Sequence, residues 1–307
     1  MDKDILKFAG RKLYQQKTLT KQKRYYVFLL RCLWHKAAVD ELLRFFDASR
    51  AREAMLLGSV QFLEQLTRAF FYRGSTLAER LALIKGHITC MEALFKPELL
   101  DIVYAKEDKI LLWEDSYCEK PLRLYLIFER GDRKEGCLTL FLDYEEQQLY
   151  KIVFWLAKKH ASGEILAYIG ALQGHPDKAD LFKSMTKAFY GYRPKNLVLY
   201  CLRSFCGASG IGEILAVTNQ GFYAMNHVRA DRKLETDLTT FWQECEGTPA
   251  EDERFYVLPV HEHRKTMEEL KPSKRALHRR RFVKLDAIKA AITEALEGYV
   301  NPKAAPT

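Results

Sequence analysis

EILAYIGALQGHPDKADLFKSMTKAFYGYRPKNLVLYCLRSFCGASGIGEILAVTN, residues 164–219, is the stretch on which the fold turns. Its start, 164–174, runs apolar and reads as a strand, and its end, 213–219, is a second apolar strand rich in β-branched residues. Between them 194–211 has helical periodicity, with Pro194 in the first turn and Gly207 or Gly210 near the end. A strand, a long connection holding a helix and another strand make a parallel crossover.

Upstream the period is two. Residues 109–113, 122–129, 136–144 and 148–157 alternate or run apolar, with turn-forming clusters between them. Connections this short predict an antiparallel meander leading into the crossover. Farther back, from about Thr20 to Phe95, apolar residues recur at three- and four-residue spacing, and Ser75 or Thr76 with Glu79 forms a helix-start signal. The expected organisation is a helical region over 1–97, of three or four helices, followed by an α+β region over 98–307. That region carries a mixed, mainly antiparallel sheet and closes in a pair of basic C-terminal helices.

A chain of 307 residues with 48% hydrophobic and 29% charged side chains can bury a sizeable core. The most apolar early run, Tyr25 to Trp34, is interrupted by Arg31, and the first ten residues have no apolar stretch of the secretory type. The expectation is a cytoplasmic protein without a transmembrane segment, with peripheral contact at the inner membrane as its nearest approach to lipid. Seven scattered cysteines without a C-x-x-C pair point away from disulfides and structural zinc. Of the net charge of +9, the stretch from His261 to Lys284 alone carries +6. That concentration implies a polyanionic partner.

The segments ERLALIKGHI, HPDKADLFKSMTKAFYGYRPKNL, ILAVTN, FWQE, FYVLP and KRALHRRRF, in that order between Thr20 and Leu285, resemble the VirK/YbjX family of Gram-negative bacterial proteins. The resemblance implies a part in virulence, in remodelling of outer-membrane and lipid A components, and in resistance to cationic antimicrobial peptides. The order of elements also resembles the core of the GNAT acyltransferase fold. That likeness implies an acyl thioester, on coenzyme A or an acyl carrier protein, with its pyrophosphate held where a strand gives way to a helix start.

On that reading Gly174 and Gly191 give close backbone approach, Arg193 and Lys195 neutralise phosphate, and Tyr192 with its neighbouring aromatics shields the acyl or pantetheine arm. The aromatics also fit an amphipathic helix burying Leu181, Phe182, Met185 and Phe189. His175, at a strand end, is a candidate general base or a turn residue. Glu244 is a second candidate, its pKa open to elevation by Phe241 and Trp242, or else a surface residue beside a Trp242 that anchors the core. Asn219 can donate to an oxyanion or close a turn. Lys274, Arg275, Arg279 and Arg280 form the candidate anion-binding set, for coenzyme phosphates or an anionic lipid. Nucleic acid is disfavoured as a partner, because no helix-turn-helix, RNP-like or zinc signature accompanies the charge. The competing class is a non-catalytic protein that docks through this basic surface.

Overall fold

The computed structural model describes residues 3–15, 18–159, 162–226 and 237–302. The chain opens with α1 (Lys3–Tyr14), α2 (Leu19–Trp34), α3 (Lys36–Asp47), α4 (Arg50–Gly58), α5 (Gln61–Thr67), α6 (Leu77–Leu94) and α7 (Pro97–Leu100). Side-chain caps set several of these starts. Thr18 accepts from the Lys21 amide, Ser49 from the Arg52 amide, and Thr76 with Glu79 forms a reciprocal capping box. The span 20–95 therefore holds five helices, more than periodicity indicated, because Ser49 restarts the chain inside one continuous apolar pattern.

The sheet follows: β1 (Ile110–Tyr117), β2 (Lys120–Ile127), β3 (Leu138–Tyr144), β4 (Gln147–Lys158) and β5 (Ile165–Gly174). Two of its hairpins turn on paired residues with positive φ, Cys118–Glu119 and Glu145–Glu146, the twist that suits antiparallel neighbours. After β5 come α8 (Ala179–Ala188), α9 (Pro194–Ala208), β6 (Glu213–Val217), α10 (Leu238–Glu244), β7 (Thr248–Pro249), β8 (Phe255–Leu258) and α11 (Pro272–Glu297). Strand order is β1-β2-β3-β4-β5-β6-β8-β7. β5 and β6 are parallel and the other pairings antiparallel, as the crossover predicts.

Strand alternation sorts the core. Phe154 faces α9 and packs on Phe205, whereas Trp155 faces the other way, among Phe71, Tyr72 and Tyr168. Of these, the fully buried Phe71, Phe154 and Phe205 each contribute roughly 1.5–3 kcal/mol. α9 and α11 cover the Phe154 face, and α6 lies along β4. Where β3 stops short, His87 on α6 completes the ladder: its Nδ1 accepts from the Leu156 amide at 3.0 Å. The proton must then sit on Nε2, which meets the Tyr104 hydroxyl at 2.7 Å. Burial holds this imidazole neutral, its pKa depressed to about 3. His87 is a structural histidine.

One alternative is decided and one expectation changes. The segment after β5 is α8, an amphipathic helix that buries Met185 and leads into buried Phe189, with Phe182 packed on Tyr150 at 5.4 Å. The basic C-terminal segment is one helix of 26 residues, not a pair, since Pro272 starts it and no breaker follows before Gly298. Among the described residues no helix is long and apolar enough to cross a membrane.

Candidate functional site

The parallel pair supplies the geometry. β5 and β6 pair only from Leu166–Glu213 to Ile169–Ala216, while β5 continues to Gly174. At the point of parting, the β4–β5 register slips between Val153 and Phe154 and leaves Gly170 as an extra residue, a β-bulge. Only glycine fits there: a Cβ on Gly170 would lie 1.7 Å from the Glu135 carbonyl oxygen and 3.0 Å from the Trp155 ring. The loop between β2 and β3 is thereby seated directly on the bulge.

That loop carries two buried carboxylates over the sheet face of Thr139, Lys151 and Gln173. Asp132 accepts from Thr139 Oγ1 at 2.8 Å and from the Lys151 ammonium. Glu135 is 5% exposed and accepts from Gln173 Nε2 at 3.1 Å. Burial, then the neighbouring Asp132 charge, raises its pKa to about 7, against the opposing pull of Lys151, Lys134 and the Gln173 amide. A carboxyl poised at neutral pH beside a bulge, next to the carboxyl ends of two parallel strands, is equipped to take and return a proton. Sequence reading missed Glu135, since RKEG resembles any polar turn; its burial exists only once the loop meets Gly170.

The residues singled out by sequence fall into other neighbourhoods. Gly174 packs under Tyr150, whose ring would be 2.5 Å from an added Cβ. His175 closes a turn, its Nδ1 accepting from the Asp177 amide at 3.3 Å. Asn219 uses its whole carboxamide to hold the start of α10, accepting from the Leu238 amide and donating to Asp237, both at 2.8 Å. Tyr192 is buried and donates to Glu262 at 2.9 Å. Gly191, at φ +80°, makes the turn that Arg281 fastens by two hydrogen bonds to the Tyr190 carbonyl.

Arg193, Lys195 and Glu244 do come together, where α9 begins and α10 ends. Arg193 Nη2 donates to Glu244 at 2.6 Å, and Lys195 lies 3.9 Å from the same carboxylate and 4.4 Å from the Phe241 ring centre. The expected elevation of the Glu244 pKa is reversed: the Arg193 hydrogen bond holds this exposed carboxyl below the ordinary range. Trp242 points inward instead, its indole donating to the Val217 carbonyl at 2.8 Å. Burial and the adjacent Arg193 charge lower the Lys195 pKa. No side chain of the described residues caps α9 at this end. On α11, Lys274, Arg279 and Arg280 are exposed, while Arg275 is half-buried and donates to the Leu270 carbonyl at 3.2 Å.

Comparison with known proteins agrees with the resemblance read from the sequence. A family described as "Protein of unknown function (DUF535)" matches residues 17–294. The "Uncharacterized protein YbjX" of Escherichia coli (strain K12) is 32% identical over 174 residues, 54% of this chain and 51% of that protein. The match thus spans about half the length of that relative. An "Uncharacterized protein" of Haemophilus influenzae (strain ATCC 51907 / DSM 11121 / KW20 / Rd) is 23% identical over 278 residues, 88% of each chain. No solved structure matches the chain at a significant level.

Proposed function

The chain belongs to the DUF535, or VirK/YbjX, family, and from that premise we propose that it transfers an acyl group from a thioester to an amine or hydroxyl acceptor. The observation that carries this reading is the parting of β5 and β6 at the Gly170 bulge, with Glu135 buried beside it. Strand order and the one parallel pair among the described residues support a GNAT-like core, an analogy of fold. The family resemblance supports an acceptor among cell-envelope components, such as lipid A, and so a part in envelope remodelling, virulence and resistance to antimicrobial peptides.

In this reading Glu135 takes the proton of the acceptor as its nitrogen or oxygen attacks the thioester carbonyl. The C–S bond breaks as the new acyl bond forms, and the departing sulfur receives a proton. Gln173 orients the Glu135 carboxyl, and Asp132, held by Thr139 and Lys151, keeps its pKa high. Arg193 and Lys195 at the start of α9 hold the phosphate groups of the thioester carrier. Glu244 competes for those cations and is a gatekeeper rather than a base.

Thermal unfolding of the full chain with coenzyme A and a long-chain acyl-coenzyme A tests the binding half. At one hundred times the dissociation constant a ligand stabilises by about 2.7 kcal/mol. The shift is expected to grow in Glu244→Gln, which frees both cations, and to vanish in the Arg193→Ala/Lys195→Ala double variant. No shift in the unmodified protein, or an equal shift in the double variant, overturns the phosphate assignment.

A further inference from the structure

Between Asp4 and Asp40 the sequence carries nine lysines and arginines and no aspartate or glutamate. α2 lies within this stretch and holds Lys21, Lys23, Arg24 and Arg31. It buries Tyr25, Phe28 and Cys32 against the helical bundle. Its outer side is apolar too: Leu19 is 84% exposed, Tyr26 63%, Leu30 64%, Leu33 53% and Trp34 86%. On a regular helix these five positions share one strip about 100° wide and about 22 Å long. Lys23 falls on that strip, and Arg24 and Arg31 follow on one side of it, between the strip and the buried face. Single exposed apolar residues are ordinary, but Tyr26, Leu30, Leu33 and Trp34 gathered on one side of one helix mark an interaction surface.

We propose that α2 docks the protein on an anionic phospholipid surface, with Leu30, Leu33 and Trp34 entering the headgroup boundary and the flanking cations meeting lipid phosphates. Charge complementarity selects this occupant. A second copy of the same face would bring two acid-free, cationic helices together and be repelled. An anionic bilayer instead supplies an apolar layer for the strip and negative charge for the cations. Tyr26 and Trp34 suit such a boundary, their rings being apolar in body and polar at one edge. Lys23 can lay its aliphatic stem along the apolar strip and keep its ammonium among the headgroups. The surface belongs to a different element from the β5–β6 opening, and its argument does not depend on acyl transfer.

The test is sedimentation of the full chain with phosphatidylcholine vesicles, with and without phosphatidylglycerol, at low and high salt. Binding is expected to require phosphatidylglycerol, to weaken with salt, and to fall at least about tenfold in Leu30→Glu/Trp34→Glu. Both replaced side chains are exposed, so the variant is expected to unfold at the same temperature as the parent. Trp34 also reports directly: Trp113, Trp155 and Trp242 are buried, at 7%, 2% and 0% exposure, so a blue shift of fluorescence on vesicle binding comes from the exposed indole. Three results would overturn the proposal: no binding to anionic vesicles, equal binding by the double variant, or lipid-independent self-association that the variant abolishes. Glu135→Gln is expected to bind vesicles like the parent, which keeps failure of this proposal distinct from failure of the acyl-transfer reading.

Discussion

Glu135→Gln is expected to lower thioester-dependent acylation by about 10²- to 10⁴-fold, the usual range for removing a general base, while making the protein more stable in alkaline solution. Both effects have one origin. The carboxyl sits in a buried loop beside Asp132, so its pKa rises from an ordinary 4.5 to about 7. A folded pKa above the unfolded one means that the folded state binds the proton more tightly. The stabilisation is complete below about pH 4.5 and is lost as pH rises through about 7. At about 1.4 kcal/mol per pH unit across that window, the loss comes to a little over 3 kcal/mol, as an order of magnitude. Glutamine keeps the shape and hydrogen bonding of the protonated acid and never ionises, so above pH 7 the variant escapes the loss. Denaturant unfolding of both proteins from pH 5 to 9 checks the stability arm. Parallel curves would show that Glu135 is not held neutral by burial.

Glu64→Gln is expected to do the opposite to stability. Glu64 is fully buried on α5 and accepts from the Tyr14 hydroxyl at 2.8 Å, Arg68 Nη1 at 2.9 Å and Arg133 Nε at 2.6 Å. Desolvation alone would raise its pKa, and it is the largest single influence. Arg133, Arg68 and Tyr14 together outweigh it and lower the value. Neutralising this carboxylate leaves two guanidinium groups facing one another without their shared anion. The expected cost is about 3 kcal/mol, the low end for a broken buried ion pair because both arginines keep some water. In the parent the stabilisation is present above the ordinary glutamate range and is lost as pH falls through the lowered folded pKa. Acid unfolding followed by circular dichroism is the check: the variant should start less stable at pH 7 and show a shallower acid slope. Since Arg133 and Glu135 share one loop, Glu64→Gln is also expected to loosen the seating of that loop on Gly170.

Much of this architecture is legible in the sequence because its signals are local. Alternation over 122–129, 136–144 and 148–157 marks β2, β3 and β4 within a few residues, and the helix inside the crossover makes β6 parallel to β5. The helical bundle is legible as a class but not in its breaks, since Ser49 interrupts an apolar pattern that continues across it. β8 lies within FYVL, where four residues carry too little periodicity to stand alone. The chemistry is less legible still. His175 and Asn219 look available in sequence, yet the Asp177 amide and the start of α10 claim them. Glu244, two residues after Trp242, suggests desolvation, yet helix positions i and i+2 point to different sides, one inward and the other toward Arg193. Glu135 gains its character from contacts with Gly170 and Gln173, about 35 residues away in sequence and across the sheet.

Hydrogen exchange of the full chain, with and without a long-chain acyl-coenzyme A, tests the central claim most directly. Slower exchange is expected over residues 170–174, where β5 outruns its parallel partner, and over 193–197, where α9 begins. Unchanged exchange in both segments, or protection confined to other parts of the chain, would contradict a thioester site at the β5–β6 opening.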